Sequence, residues 1–313
     1  MQSSEQFLFA SAPDSWGVLD YPGPSWEQSY EKMLDEMVAA GYKGTELGPY
    51  GFFPTDPKVL EPQLAKRDLR LLGSFVPVRM GEPDAGAAMI ERIKKVGSLL
   101  ALLKAPFLVL ADDQSDGRNR FSGRAYEKDC PQLTSDQWKH VGSLVADAER
   151  IANDFGLDLV FHPHVATHVE TPEECEKFFD VTSHTRIGLC LDTGHCVYGQ
   201  GDPVNEAKKY GSKLRFVHIK DCDAKVLELA RKNKWNFEEA IEHKVFTVIG
   251  KGDLDFPAFF RALSDFRYSG WSVVEQDVKF GDPAVNPAKN VTESLSYLRG
   301  VVGSLKQEAA RTS

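Results

Sequence analysis

The sequence has few of the features that mark a secreted, disulfide-bonded or membrane-spanning protein. Only five of its 313 residues are cysteines, and no two of them form a CxxC pair. An odd number of scattered thiols argues against a disulfide framework or a zinc ribbon and favours a reducing compartment. No apolar run, including Val96 to Leu103, is long enough to span a bilayer, and the N-terminus lacks the charged start and apolar core of a secretory signal. We therefore expect a soluble, cytoplasmic protein without a membrane partner.

The chain also lacks an excess of basic residues. It carries 37 Lys and Arg against 46 Asp and Glu, which gives a formal net charge of -9. Binding to nucleic acid requires clustered cationic side chains, so no nucleic-acid partner is expected and a small molecule is the expected substrate. A glycine-rich dinucleotide motif is missing after the first apolar run. This absence argues against an open, doubly wound sheet that binds a nucleotide.

What the sequence does contain is an alternation of short β-rich apolar runs with amphipathic stretches, repeated eight times. Strands are predicted over residues 7–12, 43–48, 69–77, 107–111, 157–164, 187–192, 214–220 and 271–275. Helices are predicted over residues 25–40, 57–67, 85–103, 134–155, 172–181, 203–210, 257–267 and 287–304. We therefore predict an α/β fold, a (β/α)8 TIM barrel that residues 1–313 form as a single domain. Helical segments at 224–231 and 236–242 form an insertion after the seventh strand, and we expect it to be a wall or lid of the pocket.

Polar residues end several of the predicted strands, where a barrel places its active site. These residues are Glu46, His162, His164, Asp192, His218, Lys220 and Glu275. Side chains two residues apart share one face of a strand, so the two polar residues of FHPH point the same way, as do those of HIKD. A single His or Asp at a strand end usually caps a loop, but polar groups on four consecutive strands favour a metal site. Imidazole and carboxylate ligands favour Mn²⁺, Co²⁺, Zn²⁺ or Mg²⁺.

Three residues near the mouth allow two interpretations each. Lys220 and Glu46 either form an ion pair inside the mouth or bind substrate. Trp16 follows the first strand, where it either belongs to the core or forms a wall for a sugar ring.

Longer motifs resemble the xylose-isomerase-like superfamily of sugar isomerases and epimerases. The resemblance covers nearly the whole chain and rests on LCLDTGH (189–195), FVHIKD (216–221), GWSVVEQD (270–277), AAGYKGTELGPYG (39–51) and FHPHVATHVET (161–171). The segment VFTVIGKGDLDFPAFFRAL (245–263) resembles the dehydratase branch, which acts on 2-keto-myo-inositol. The resemblance implies a metal-dependent enzyme for a small keto-sugar or keto-cyclitol. It also implies a homo-oligomer, either a dimer or a tetramer.

The resemblance further implies the metal ligands. The ligands that the family places on strands six, seven and eight correspond to Asp192, His218 and Glu275. The fourth ligand is a Glu in the isomerases and epimerases, and its place is taken here by His162. Mn²⁺ or Co²⁺ is the expected ion, with Mg²⁺ and Zn²⁺ as alternatives.

The missing Glu also changes the implied mechanism. Epimerases of the family exchange protons through two Glu ligands, whereas only Glu275 remains here. A dehydratase instead requires a base for the proton α to a ketone, a metal to stabilise the enediolate and an acid for the leaving hydroxyl. The family's substrate-contacting His corresponds to His195, and His168 stands where the family often has a Glu. The base is one of His164, His195 and Glu275. Lys220 is expected to hold the enolate or a hydroxyl, and His164 or His168 is the expected acid.

Other activities remain as alternatives to a dehydratase. An isomerase, an epimerase or a β-eliminating lyase for 3-keto-glycosides would use the same metal on the same fold. A phosphodiester nuclease would require more metal ligands and a basic face, which this acidic chain does not offer. A non-catalytic sugar-binding barrel would not need a ligating group at every expected position, and here every position has one.

Overall fold

Nine parallel strands curl into a barrel in the computed structural model, which describes residues 7–18 and 23–312. The barrel strands are β1 (Phe7–Ser11), β2 (Gly44–Thr45), β3 (Arg70–Leu71), β4 (Phe75–Val78), β5 (Phe107–Asp112), β6 (Asp158–Phe161), β7 (Gly188–Asp192), β8 (Leu214–Ile219) and β11 (Gly270–Val274). Two further strands, β9 (Asp221–Cys222) and β10 (Phe246–Thr247), form a separate antiparallel pair. The order in the sheet is β3-β2-β1-β11-β8-β7-β6-β5-β4, so neighbours in the chain are neighbours in space. The predicted TIM barrel is confirmed.

The third predicted strand is divided into β3 and β4, and the barrel closes at this division. β3 pairs with β2, whereas β4 pairs with β5. Between them, the Leu72 N–H donates to the Thr45 carbonyl at 2.9 Å, and the Leu72 carbonyl accepts from the Phe107 N–H at 3.0 Å. A side chain on Gly73 would come within 2.9 Å of the Phe107 carbonyl oxygen, so glycine allows the strands to approach here. One continuous backbone thus joins both edges of the sheet.

Helices follow the strands and surround the barrel. They are α1 (Tyr30–Ala40), α2 (Pro57–Ala65), α3 (Ala85–Leu102), α4 (Asp116–Asn119), α5 (Ser135–Asp154), α6 (Pro172–Val181), α7 (Thr193–Tyr198), α8 (Pro203–Tyr210), α9 (Ala224–Asn233), α10 (Phe237–Glu242), α11 (Phe256–Asp265) and α12 (Pro287–Thr312). Short 3-10 turns cover Pro13–Trp16, Pro24–Glu27 and Gly211–Lys213. In the described ranges, none of these helices combines the length and apolarity needed to cross a bilayer.

Two helices differ from their predicted bounds by more than two residues. The predicted helix over 25–40 is interrupted, because Gln28 and Ser29 are extended after the 3-10 turn and the Ser29 side chain caps α1 by accepting the Lys32 N–H. The last helix continues to Thr312, where we predicted an end near 304. Both differences concern helix ends, where a side-chain cap or a few exposed residues decide the boundary.

The barrel interior is apolar below its mouth. Small and branched side chains from successive strands, with the stacked pair Phe107 and Phe216 at a centroid distance of 4.4 Å, fill this space. A larger apolar cluster lies between the sheet and the helices. The barrel therefore has a solid base, and the polar strand ends lie on top of it.

The insertion after β8 consists of β9, α9, α10 and β10, as predicted for this region. Its own apolar cluster includes Phe237 and Phe246. Arg231 of α9 donates hydrogen bonds to the carbonyls of Gly123 at 3.2 Å and Tyr198 at 3.0 Å. These bonds attach the insertion to the neighbouring loops, so it forms a wall beside the mouth.

Candidate active site

The polar strand ends lie in one layer because the strand ladders continue beyond the regular strands. The His162 N–H donates to the Leu110 carbonyl of β5 at 2.8 Å, and the Glu275 N–H continues the ladder to β8. Asp192, the last residue of β7, is the register partner of His218 in β8. The barrel therefore brings these side chains together at the carboxyl ends of its strands.

Two groups of three side chains meet at His218, and within each group the ligand atoms lie within 4.8 Å of one another. The first group is His162, Asp192 and His218, and the second is Glu46, His218 and Glu275. All five side chains belong to residues that are at most 6% exposed. Ionisable groups buried so closely are costly unless they pair with one another or hold a cation.

His218 lies between two carboxylates. Its Nε2 is 3.2 Å from Glu46 Oε1, and its Nδ1 is 3.1 Å from Glu275 Oε2 without the geometry of a hydrogen bond. Burial opposes a charge here, but Cys190 and the two carboxylates raise the pKa of His218 well above its usual range. His162 Nδ1 is also buried without a hydrogen-bond partner among the described residues. The other nitrogen of that ring, His162 Nε2, lies 3.6 Å from Asp192 Oδ2. Imidazole nitrogens beside carboxylate oxygens suit a divalent cation, and Glu46 is placed to orient His218 from the far side of its ring.

Lys220 is a buried ammonium group among carboxylates. Its Nζ is 2.6 Å from Glu275 Oε2 and 3.1 Å from Asp192 Oδ2. Asp277 and Asp14 lie 3.6 and 3.9 Å away. Burial opposes the charge, but the carboxylates outweigh it and raise the pKa of Lys220 well above its usual range. Despite burial, the adjacent imidazole and ammonium groups lower the pKa of Glu275 to about 2. Lys220 therefore stays protonated and Glu275 stays ionised.

Two further imidazoles, His164 and His195, pack with their ring centroids 3.9 Å apart and their ring planes tilted by 37°. His164 Nδ1 lies 2.7 Å from the Val165 carbonyl, which only accepts, so Nδ1 carries the proton and Nε2 carries a lone pair. The Val165 N–H donates to His195 Nδ1 at 3.4 Å, so in His195 the proton is on Nε2. Burial lowers the pKa of His164 to about 3 and that of His195 well below its usual range. Both rings are neutral, with opposite proton positions.

Phe237 and Phe246 of the insertion form the wall beside these imidazoles. The Phe237 ring centroid lies 5.5 Å from that of His164 and 5.6 Å from that of His195. Phe246 lies 5.6 Å from His195. The insertion thus packs against the two rings from one side.

Two carboxylates at the mouth, Asp14 and Asp277, are absent from the predicted site. Asp277 follows Glu275 by two residues, so the alternation that relates the polar residues of HIKD would also have identified it. Asp14 lies in the 3-10 turn after β1, where alternation gives no direction. Burial, with the charge of Glu275, raises the pKa of Asp14 well above its usual range, and burial raises the pKa of Asp277 as well.

Two candidate substrate residues lie outside the two groups around His218: Trp16, for which the core was the other interpretation, and His168. The Trp16 indole N–H donates to Glu36 of α1 at 2.7 Å, so the ring faces α1 and belongs to the core. A buried indole requires such an acceptor, and the 3-10 turn directs it there. The backbone N–H of His168 donates to Asp112 Oδ2 at 2.8 Å, and its Nδ1 lies 3.0 Å from the same oxygen. Asp112 ends β5, so His168 is held at the rim of the mouth.

This chain is similar to known proteins in sequence and in fold. A family model described as a xylose isomerase-like TIM barrel matches residues 34–301. The inosose dehydratase of Geobacillus kaustophilus is 31% identical over 281 residues, which cover 89% of this chain and 89% of that protein. The rhizopine catabolism protein MocC of Rhizobium meliloti is 36% identical over 294 residues, 93% of this chain and 88% of that protein. The solved structure of the IOLI protein with a zinc atom has a TM-score of 0.69 at 15% identity, covering 95% of this chain and 98% of that one.

Proposed function

Because the chain belongs to the xylose isomerase-like TIM barrel family, we propose that it is a divalent-metal-dependent dehydratase of a keto-cyclitol such as 2-keto-myo-inositol. Several of its curated relatives are inosose dehydratases, which supports a sugar-modifying enzyme with a small-molecule substrate. The observation that carries the proposal is the meeting of four strand ends where imidazole nitrogens of His162 and His218 lie beside the carboxylates of Asp192 and Glu275.

The residues that would hold the ion are His162, Asp192, His218 and Glu275. Their nitrogen and oxygen atoms suit Mn²⁺ or Co²⁺, with Zn²⁺ and Mg²⁺ as alternatives. A bound ion supplies a Lewis acid for the ketone oxygen of the substrate. Glu46 accepts the Nε2 proton of His218, which leaves Nδ1 of that ring available as a ligand.

Of the three candidate bases, His164 has the most suitable arrangement, although burial lowers its pKa and so weakens it as a base. Its Nδ1 proton is held by the Val165 carbonyl, so its Nε2 lone pair can accept the proton from the carbon next to the ketone. Glu275 is instead engaged by Lys220, and His195 presents a proton rather than a lone pair.

In this elimination the imidazole of His164 both accepts the proton and returns it. The electron pair of the broken C–H bond forms the new C=C bond, and the hydroxyl on the β carbon leaves with the electrons of its C–O bond. The imidazolium of His164 then returns the proton to that hydroxyl, so water departs and no other reactant is consumed. Lys220 donates a hydrogen bond to the oxygen on which negative charge develops.

The proposal is tested by following 2-keto-myo-inositol by NMR in D2O, with protein stripped by EDTA and protein reloaded with Mn²⁺. We expect loss of water only with the reloaded protein. His218→Ala and Asp192→Ala should lose both bound metal and turnover, because each removes a ligand. His184→Ala is the matched control, since that imidazole is exposed and lies outside the site.

Two results would contradict parts of the proposal. Normal metal content and turnover in His218→Ala would refute the ligand assignment. If ketohexoses or 3-keto-glycosides exchange their α-proton and 2-keto-myo-inositol keeps its hydroxyl, the enzyme is an isomerase or epimerase instead.

A further inference from the structure

His195 and Asp277 face each other across a short gap at the mouth. His195 Nε2 and Asp277 Oδ2 are 3.9 Å apart, which is too far for a hydrogen bond. His195 is only 2% exposed, and its Nε2 has no hydrogen-bond partner among the described residues. Buried polar groups in folded proteins nearly always have a partner. The unpaired Nε2–H therefore points to a ligand atom in this gap.

Asp277 is fixed opposite His195 by its neighbours. Lys220 Nζ lies 3.6 Å from Asp277 Oδ1, and the carboxyl group of Asp14 interacts with Asp277 from the turn after β1. The side chains of Asp277 and Asp14 are 17% and 26% exposed, whereas Lys220 is almost fully buried. Asp277 therefore lies where the buried polar layer opens to solvent, and a substrate can reach it.

We propose that His195 and Asp277 together bind one hydroxyl group of the substrate, one that remains on the ring through the reaction. A hydroxyl accepts a hydrogen bond from the His195 Nε2–H and donates one to the Asp277 carboxylate, which a carbonyl oxygen cannot do. An oxygen about 2.8 Å from each atom fits, because the two atoms are separated by less than twice that distance. This inference rests on the proposed function and adds to it a further substrate-binding residue, Asp277, beside the His195 that the family resemblance already implies.

The surrounding charges also disfavour an anionic substituent at this place. The Asp277 carboxylate faces the gap, and two of the three N–H donors of Lys220 are already engaged by Glu275 and Asp192. A phosphate group would meet these carboxylates at close range, and the one remaining donor of Lys220 would not offset their combined charge. We therefore expect myo-inositol to bind and myo-inositol 1-phosphate to compete poorly.

The test compares Asp277→Asn with wild-type protein, both loaded with Mn²⁺. The kinetic constants are measured with 2-keto-myo-inositol, and the Kd of unreactive myo-inositol is measured by calorimetry. We expect KM and Kd to rise about tenfold, because a charge-assisted hydrogen bond becomes a neutral one, while kcat changes less than about threefold. Asp154→Asn removes the same charge at the exposed end of α5 and should change neither constant.

Deoxy analogues of 2-keto-myo-inositol separate binding from a structural effect. One analogue, the one without the bound hydroxyl, should have the same KM with wild-type protein and with Asp277→Asn. An equal rise in KM for every analogue, including the one without the bound hydroxyl, or a fall in kcat with KM and Kd unchanged, would overturn the inference.

The myo-inositol measurement also separates this inference from the proposed function. If no keto-inositol is dehydrated but the Kd of myo-inositol still depends on Asp277, the binding site stands and the dehydratase does not. If dehydration occurs and Asp277→Asn behaves as wild type, the dehydratase stands and the binding site is refuted. If wild-type protein neither dehydrates the keto-inositol nor binds myo-inositol, both are refuted.

Discussion

Replacing Arg118 by methionine tests how the loops around the mouth are held together. The Arg118 guanidinium is fully buried and donates to both oxygens of Glu174, at 2.7 and 2.9 Å. It donates a third bond to the Pro131 carbonyl at 3.0 Å. Glu174 also accepts the N–H groups of Glu170 and Thr171 at the start of α6. One ion pair therefore joins α4, the segment before α5 and the loop that carries His164 and His168.

The expected cost follows from the burial of both partners. Removing one member of a buried, hydrogen-bonded ion pair leaves the other charge unpaired and typically costs about 3–5 kcal/mol. Unfolding entropy near 60 °C is about 2.1 cal/mol/K per residue, or about 0.66 kcal/mol/K for the 313 residues of this chain. Arg118→Met should therefore lower Tm by about 5–8 °C.

Calorimetry or a thermal shift assay measures this change, with Arg79→Met as the control. Arg79 also pairs with a carboxylate, Glu82 at 3.3 Å, but its side chain is 62% exposed. An exposed pair contributes less than about 1 kcal/mol, so the control should lose less than about 1.5 °C. Equal shifts in the two variants, or a loss below about 2 °C for Arg118→Met, would refute the argument that burial makes this pair important.

Two further predictions concern groups near the mouth. Burial raises the pKa of Glu170 from 4.5 to about 7, so the folded protein binds this proton more tightly than the unfolded chain, and stability falls as pH rises between these values. Glu170→Gln should remove this contribution to the pH dependence of the free energy of unfolding, which is about 3 kcal/mol between pH 4.5 and 7. The change is measured by comparing Tm of the two proteins as a function of pH. Phe237→Leu should lower kcat at least about tenfold with metal content unchanged, because Phe237 positions His164 and His195. Unchanged kcat would show that the imidazoles hold their positions without it.

The order of the fold could be predicted because each βα unit has its own hydrophobic period. The lengths of several strands could not. The predicted strand over 43–48 pairs regularly only at Gly44 and Thr45, and the one over 69–77 is divided at Gly73. Strand ends depend on the approach of neighbouring backbones as the barrel closes, which no single segment encodes. The interrupted first helix similarly depends on the Ser29 cap, which competes with continuation of the helix.

For the site, strand alternation was informative only where side chains follow a regular strand. It brought His162, His218 and Lys220 to the same layer, and applied two residues beyond Glu275 it would have included Asp277. It gave no direction for Trp16, whose side chain is set by a turn and by the need of its N–H for an acceptor. The proton positions on the imidazoles also required the structure, since they depend on the backbone groups that each ring meets.

The strand pair β9–β10 closes the insertion at its base. The chain leaves the barrel at Cys222 and returns opposite it at Phe246, so the whole excursion is closed by one small pair of strands. Because the free energy of closing a loop rises slowly with its length, this segment can be shortened, lengthened or exchanged while the barrel beneath keeps its register. Phe237, which lines the imidazoles, belongs to that exchangeable segment, whereas the four candidate ligands do not. The aromatic wall beside the imidazoles and the candidate metal ligands therefore lie on separate parts of the chain, so one can be altered without the other.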